Sequence, residues 1–283
     1  ELAAGWSAYA SAAKGSQSGG INPIPGLLPA EQSYEPEFNW TYELAAGYRP
    51  LGGTFGFDAT VYRINWTDAQ ILGFGQTPNV SNLITLNTAG IVTEGFELSW
   101  HARPSQVLQT EVDLAWTNPQ FRSGSDDPGS RRFCGLSGGN ATSTFCVVGP
   151  SRSDTPVLVP YIDGNVPARV PRRTWHAAIT FTPRATSGRL RLRLDASGQD
   201  DVFDRAINGA RFGRRMLLDA QLSYDFGDWT VALWGRNLDD ESYVRALASR
   251  GQIYFPTSPR PLDALFGEGR RFGLSLIYGS SRR

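Results

Sequence analysis

The feature that most constrains this chain is a pairing of two rhythms. Segments of strict apolar–polar alternation are joined by connections that are alternately short and long. In GFELSWHA, Phe96, Leu98 and Trp100 fall on one face, and Gly95, Glu97 and Ser99 on the other. LLDAQLSYDF sets Leu218, Ala220, Leu222, Tyr224 and Phe226 against Asp219, Gln221, Ser223 and Asp225. RRTWHAAITF, GRLRLRLDA and RRFGLSLIY repeat the pattern. A period of two is the signature of a β-strand, and helical periodicity is almost absent. About ten strands are expected, near 3–14, 37–49, 53–68, 87–102, 106–118, 172–182, 188–197, 214–226, 229–238 and 269–279. Each is long enough to cross a bilayer at a tilt, which takes about 9–11 residues.

The connections sharpen this. RPLGG, ARPSQ, TPRATSGR and FGDW carry the Gly, Pro and Asp chemistry of tight turns. The others, near 15–36, 69–86, 119–171, 198–213 and 239–268, are long. In an up-and-down antiparallel sheet this puts all long loops on one side, the asymmetry of an outer-membrane β-barrel. Tyr48, Trp100, Phe181, Tyr224, Phe226, Trp229 and Tyr278 cluster beside the short turns, as an interfacial ring would. Tyr62, Trp66 and Trp116 are expected to form a second ring near the long loops. A soluble β-sandwich is the competing fold, and it would scatter its aromatics through a core.

Other classes find little support. No apolar run reaches the length of a membrane helix, and mean hydropathy is −0.30. Lys+Arg and Asp+Glu are both 27, so no basic excess points to nucleic acid. KGSQSGGINP (14–23) and GFGQTPN (73–79) have glycine-rich character, but neither opens a helix as a phosphate loop must. The first reads instead as the point where a strand leaves the membrane and opens into a loop. His101 and His176 stand on different strands and no nucleophile–base set is apparent, so no catalytic residue, metal site or cofactor is expected. The acidic clusters Asp126–Asp127, Asp200–Asp201 and Asp239–Asp240–Glu241 fit solvated loop tips better than calcium sites.

Several stretches, in order, resemble the C-terminal half of a TonB-dependent outer-membrane receptor. They are AYASAAKGSQSGGINP, YEPEFNWTYELAAGYRP, FDATVYRINWTDAQ, NTAGIVTEGFELSW, WGRNLDDESYVR and RRFGLSLIYG. Asn237, Leu238 and Tyr243 stand where that family has its Asn-Leu…Tyr pattern. The resemblance implies an all-β, antiparallel up-and-down transmembrane barrel segment. It would be about ten strands of a 22-stranded barrel, a single unit over 1–283 with the plug domain absent. It implies uptake of a ferric siderophore or similar bulky nutrient across a Gram-negative outer membrane. Partners would be membrane lipid, the barrel assembly machinery, and TonB acting through a plug and TonB box that this chain lacks. On this expectation the chain is a portion of a larger receptor. It also runs past Tyr278 to Gly-Ser-Ser-Arg-Arg instead of ending on an aromatic. A small stand-alone barrel, porin-like or adhesive, and a barrel enzyme with a rim site are the rival readings.

Ligand contacts are expected on the long loops, at Tyr34, Phe121, Arg131, Arg132, Tyr161, Arg211, Tyr254 and Arg260, because Arg and aromatic side chains suit anionic, aromatic-rich chelates. Glu43, Glu97, Arg189, Arg191, Arg193 and Arg236 are expected on the lumen wall. An Arg facing lipid at mid-depth costs about 2–4 kcal/mol, so alternation alone orients the 189–193 segment. These charges are expected chiefly to pair with one another, with plug docking or ligand guidance as their functional alternative. Cys134 and Cys146, in the longest loop, are expected to form a disulfide, which in the chain-entropy model contributes about 3 kcal/mol.

Overall fold

The computed structural model describes residues 4–50, 52–74, 77, 83–127, 146–149, 157–184, 187–208, 210–249 and 262–279. β1 (Trp6–Gln17) leads into a loop carrying the short strands β2 (Gly20–Ile21) and β3 (Ser33–Tyr34), with a 3-10 turn at Pro29–Glu31. β4 (Glu37–Tyr48) and β5 (Phe55–Thr67) follow, joined by a tight turn. A second loop holds β6 (Gln70–Phe74) and β7 (Leu83–Asn87). β8 (Gly90–Ser105) and β9 (Leu108–Phe121) precede a third loop with β10 (Cys146–Gly149) and β11 (Val157–Pro160). β12 (Arg173–Phe181) and β13 (Arg189–Gln199) precede a fourth, with β14 (Val202–Phe203) and β15 (Arg211–Phe212). β16 (Arg215–Phe226) and β17 (Trp229–Arg236) precede a fifth, with β18 (Val244–Ser249) and β19 (Leu262–Phe266). β20 (Arg271–Tyr278) is the last strand.

The long strands make one ten-stranded antiparallel sheet in the order β1-β4-β5-β8-β9-β12-β13-β16-β17-β20. The expected up-and-down topology is borne out, and each expected strand corresponds to one of these ten. The alternation of connections has a further layer: all five long loops contain their own two-stranded ribbon. The tight turns rest on local chemistry. Gly227 takes φ +55 between Phe226 and Trp229, a conformation costly for any residue with a β-carbon.

Cross-strand partners share a face, so the register assigns every side chain to one of two surfaces. One surface is apolar. It carries Leu44, Val61, Phe96 and Trp116 across β4, β5, β8 and β9, and Ile179, Leu194 and Leu218 across β12, β13 and β16. From Tyr48 to Trp40 along β4, at about 3.3 Å per residue and a tilt of about 40°, this band is about 20 Å tall. The opposite surface holds Ser99, Asp113, His176, Asp195 and Asp219.

The aromatic ring at the tight-turn end is present: Trp6 packs on Tyr48 and Phe57, Tyr224 on Phe226, and Trp229 on Tyr278. The second ring needs correction. Tyr62 and Trp66 lie on the polar surface, paired with Glu43 and Asn39. On the apolar surface the long-loop end is instead held by stacked Trp40–Tyr42 and Phe96–Trp116.

Burial is concentrated in the loops rather than between layers. Leu27, Ile84 and Leu86 form a buried cluster with Ile24 packed against it, joining the first and second loops. The sheet's apolar surface stays open, with Leu274 72% and Leu276 62% exposed. Among the described residues β1 and β20 have no pairing with each other, so the ten strands do not close on themselves.

Candidate functional site

The first four loops are organised in two pairs, each clasped by an asparagine. Asn22 donates to the carbonyls of Glu31 and Thr85 (2.8 and 2.9 Å) and accepts from Thr85 N–H (3.0 Å). Glu31, fully buried, accepts from the hydroxyl and N–H of Thr77 (2.5 and 3.2 Å). Asn87 adds a link, accepting from Glu35 N–H and donating to the Glu35 and Asp68 carbonyls. The first two loops therefore form one lobe.

The third and fourth loops form another. Asp163 gathers Ser123 Oγ, Gly124 N–H and Ser125 N–H at 3.0–3.2 Å. Asn208 accepts from Val166 N–H and donates to its carbonyl, while Asn165 donates to the Ala206 carbonyl. Asn208 holds φ +55, which asparagine tolerates better than most side chains.

Between these two loops lies a cleft of about 440 Å³, lined in part by Arg172, Arg173, Arg211, Arg214, Asp201 and Phe203. The Arg211 guanidinium sits 4.5 Å above the Phe203 ring and 3.5 Å from Asp201. Arg173 donates to Asp200 at 2.8 Å. Arg172 and Arg214 have no carboxylate within ion-pair distance among the described residues. Four guanidiniums thus face two carboxylates, Asp200 and Asp201. The surplus of fixed planar donors next to an aromatic face suits an anionic, partly flat ligand.

Of the expected ligand residues, Arg211 is in this cleft. Tyr34 lies at the base of the first loop with its ring across Gly20, and Tyr161 bridges Asp126 in the third. Phe121 is only 6% exposed and paired with Ile91, so its ring is not presented to a ligand. Arg131, Arg132, Tyr254 and Arg260 lie outside the described residues, as does Cys134 and with it the expected disulfide to Cys146. Arg172, Arg173 and Arg214 were not anticipated. Their signal was the doublets Arg172–Arg173 and Arg214–Arg215, each at the long-loop end of a strand. The aspartates of two expected acidic clusters are engaged by arginines: Asp200 by Arg173, Asp201 by Arg211, and Asp240 by Arg270.

The polar surface below the loops carries the expected wall residues. Arg193 meets Glu111 and Asp195 at 3.0 and 2.9 Å, Arg236 meets Asp219 at 2.7 Å, and Arg191 lies 3.9 Å from Asp225. Glu43 accepts from Ser11. Glu97 and Arg189 have no ion-pair partner among the described residues. His176 sits between Asp113 (3.3 Å) and Asp195 (3.0 Å). The charge is polarised across the sheet. Glu43, Asp58, Glu97, Glu111 and Asp113 occupy β4–β9, whereas Arg189, Arg191, Arg193 and Arg236 occupy β13–β17, where Asp195, Asp219 and Asp225 offset three of them.

Solved structures with this fold include proteins described as transport receptors. The ferric yersiniabactin uptake receptor FyuA of Yersinia pestis matches with a TM-score of 0.70 at 17% identity, over 97% of this chain and 35% of its own. The siderophore receptor PiuA of Acinetobacter baumannii gives 0.66 at 15%, over 96% and 33%. The FrpB iron transporter of Neisseria meningitidis gives 0.60 at 16%, over 96% and 37%. The chain thus spans about a third of the length of these proteins. No curated protein matches it in sequence. A family model, described as TonB dependent receptor-like, beta-barrel, matches residues 1–238. With most of the ten-stranded sheet inside that match, this chain belongs to the TonB-dependent receptor β-barrel family.

Proposed function

We propose that the chain is part of the wall and loop crown of an outer-membrane receptor that takes up an anionic ferric chelate of the siderophore class. The observation that carries this reading is the arginine cleft between the third and fourth loops, at the loop end of a sheet with one charged and one apolar surface. In this reading the apolar surface meets lipid and the charged surface lines the lumen. The loop lobes face outward and hold the ligand, with Arg211 and Phe203 offering a cation and a ring to it. The polarised wall lies along its route inward. Energy comes through TonB acting on a plug that these ten strands do not include. The described receptors for ferric yersiniabactin and other siderophores support the substrate class by fold.

The test is uptake of iron-55 by cells expressing the intact receptor, with the metal supplied as anionic or cationic chelates. Uptake of an anionic chelate, abolished by a proton uncoupler, is expected. Arg211→Glu combined with Arg172→Glu should lower it about tenfold, on the scale of one or two lost charge-assisted hydrogen bonds. Uptake indifferent to those substitutions, or to the uncoupler, would contradict the proposal.

A further inference from the structure

Three of the four tight turns carry an arginine beside a proline. Arg49–Pro50 follows β4, Arg103–Pro104 lies at the end of β8, and Pro183–Arg184 follows β12. All three arginines are exposed. Proline fixes its own φ and pushes the residue before it toward extended backbone, so Arg49 and Arg103 start from a restrained main chain. The turns are also stitched to one another. Arg103 N–H donates to the Thr54 carbonyl (2.5 Å) and Thr182 N–H to the Val107 carbonyl (2.7 Å), which makes them one continuous ledge.

Arginines on the ledge are held differently from those along the strands. On the strands, Arg63, Arg191, Arg193 and Arg236 meet Glu94, Asp225, Glu111 and Asp219. On the ledge, Arg184 donates to the side-chain oxygen of Gln106 at 3.1 Å. Gln109, with its amide oxygen turned to the guanidinium, accepts from Arg103 at 2.9 Å. An amide orients a guanidinium without cancelling its charge. Arg49 meets Asp58 at 2.5 Å, but Arg103, Arg184 and Arg189 have no carboxylate partner among the described residues. The acidic turn residue, Asp228, stands on the fourth turn, between β16 and β17.

The ledge opens toward the charged surface. Arg49 reaches Asp58, which register places beside Ser99 on that surface. Arg103 shares a hollow of about 380 Å³ with His101, Gln109 and Glu111, and the His101–Glu111 cross-strand pair belongs to the same surface. Glu111 is already engaged by Arg193. The free cationic charge therefore stands at the tight-turn mouth of the charged surface, not over the apolar band. Its spacing is regular. Neighbouring strands lie about 4.8 Å apart, and a tilt of about 40° stretches this to about 6 Å along the rim, so successive turns stand about 12–13 Å apart. In an extended chain every fourth residue returns to the same face about 13 Å along.

We propose that this ledge binds an extended acidic peptide segment of a separate periplasmic protein, its carboxylates taken in succession by the turns of Arg49, Arg103 and Arg184. Charge complementarity and spacing select this occupant. A row of guanidiniums on restrained turns, two of them oriented by glutamines, matches carboxylates carried at regular intervals on a backbone. A layer of lipid headgroups would meet the apolar band instead. The inference rests on the reading that the loops face outward, which puts the tight turns in the periplasm.

The experiment titrates the intact receptor, in neutral detergent at low salt, with a fluorescent serine–threonine peptide carrying glutamate at every fourth position. Saturable binding that weakens as salt rises is expected, and the same peptide with glutamine in place of glutamate should not bind. Arg103→Gln with Arg184→Gln should weaken binding about tenfold, on the scale of two exposed charge pairs. A heat-modifiable band on a gel shows that the variant is folded. Should that band be lost, Arg49→Gln with Arg184→Gln is measured in its place. Equal binding of the glutamine peptide, or wild-type binding by a folded variant, overturns the proposal. So does a photo-crosslink that maps to the long loops instead of the three turns. Displacement by anionic lipid vesicles as readily as by unlabelled peptide also overturns it, assigning the ledge to a lipid surface. Labelling of Ser105→Cys by a membrane-impermeant maleimide, above the wild-type background, checks the orientation separately. Labelling only after the outer membrane is opened is expected. Labelling of intact cells sinks both ideas, whereas correctly placed turns that bind no acidic peptide sink only this one.

Discussion

Asn87, Gly90, Gly95 and Asn237 stand in stretches that resemble the receptor family, and each has a local structural duty. Asn87 ties the second loop to Glu35 at the foot of β4. Gly90 opens β8 with φ +133, and a β-carbon there would run into the Trp66 carbonyl. At Gly95 a β-carbon would lie 2.5 Å from the Tyr62 hydroxyl and 2.6 Å from the Trp116 carbonyl. Asn237, 4% exposed and at φ +50, closes the fifth loop by donating to the Glu241 and Glu268 carbonyls and accepting from Glu241 N–H. These motif residues explain how the wall turns into loops, not what binds there. Asn237→Ala should therefore destabilise by about 2–3 kcal/mol, since it strands buried partners. Urea unfolding of the variant checks this. Gly90→Ala should cost at least as much, from backbone strain and collision together, and a thermal shift within error of wild type would refute that account.

At the scale of elements, the wall strands were legible because one face of most of them carries a run of apolar residues. β5 shows where legibility ended. FDATVYRINWT carries apolar residues on both faces, Phe57, Ala59 and Val61 against Tyr62, Ile64 and Trp66. Its Arg63 pairs with Glu94 on the apolar surface. The phase of such a strand is set by its neighbours' register, so Tyr62 and Trp66 were assigned to the wrong side. The loop ribbons were invisible for a different reason. β2, β3, β14 and β15 have two residues each, too few for any period. Contacts between loops hold them, as Asn22 and Asn208 do. The arginine cleft was unread for the same reason, apart from Arg211, because it joins residues from two loops and two strand ends.

Two outcomes follow at this scale. Leu192→Arg, on the apolar surface of β13, should cost about 2–4 kcal/mol in lipid, and measuring refolding into bilayers against denaturant tests it. Glu31→Ala should loosen the first lobe without unfolding the wall. Faster hydrogen exchange at 83–87 with unchanged exchange in β8 and β9 is the expected signature.

For the molecule as a whole, the surfaces and edges tell one story. Among the described residues the sheet is open at β1 and β20, its apolar surface is uncovered, and its charged surface is polarised from acidic on β4–β9 to arginine-rich on β13–β17. A soluble sandwich would bury the apolar surface against a second layer. Here the burial lies in the clasped loops, which stand on one side of a wall. The central claim is that this wall separates lipid from a charged lumen. β13 tests it best, since Leu190, Leu192, Leu194 and Ala196 alternate with Arg189, Arg191, Arg193 and Asp195. Single cysteines along 189–196 of the intact receptor, labelled with a fluorophore in bilayers of brominated lipid, give the measurement. Quenching at every even position and none at the odd ones is the predicted result, and uniform quenching, or none at all, would contradict it.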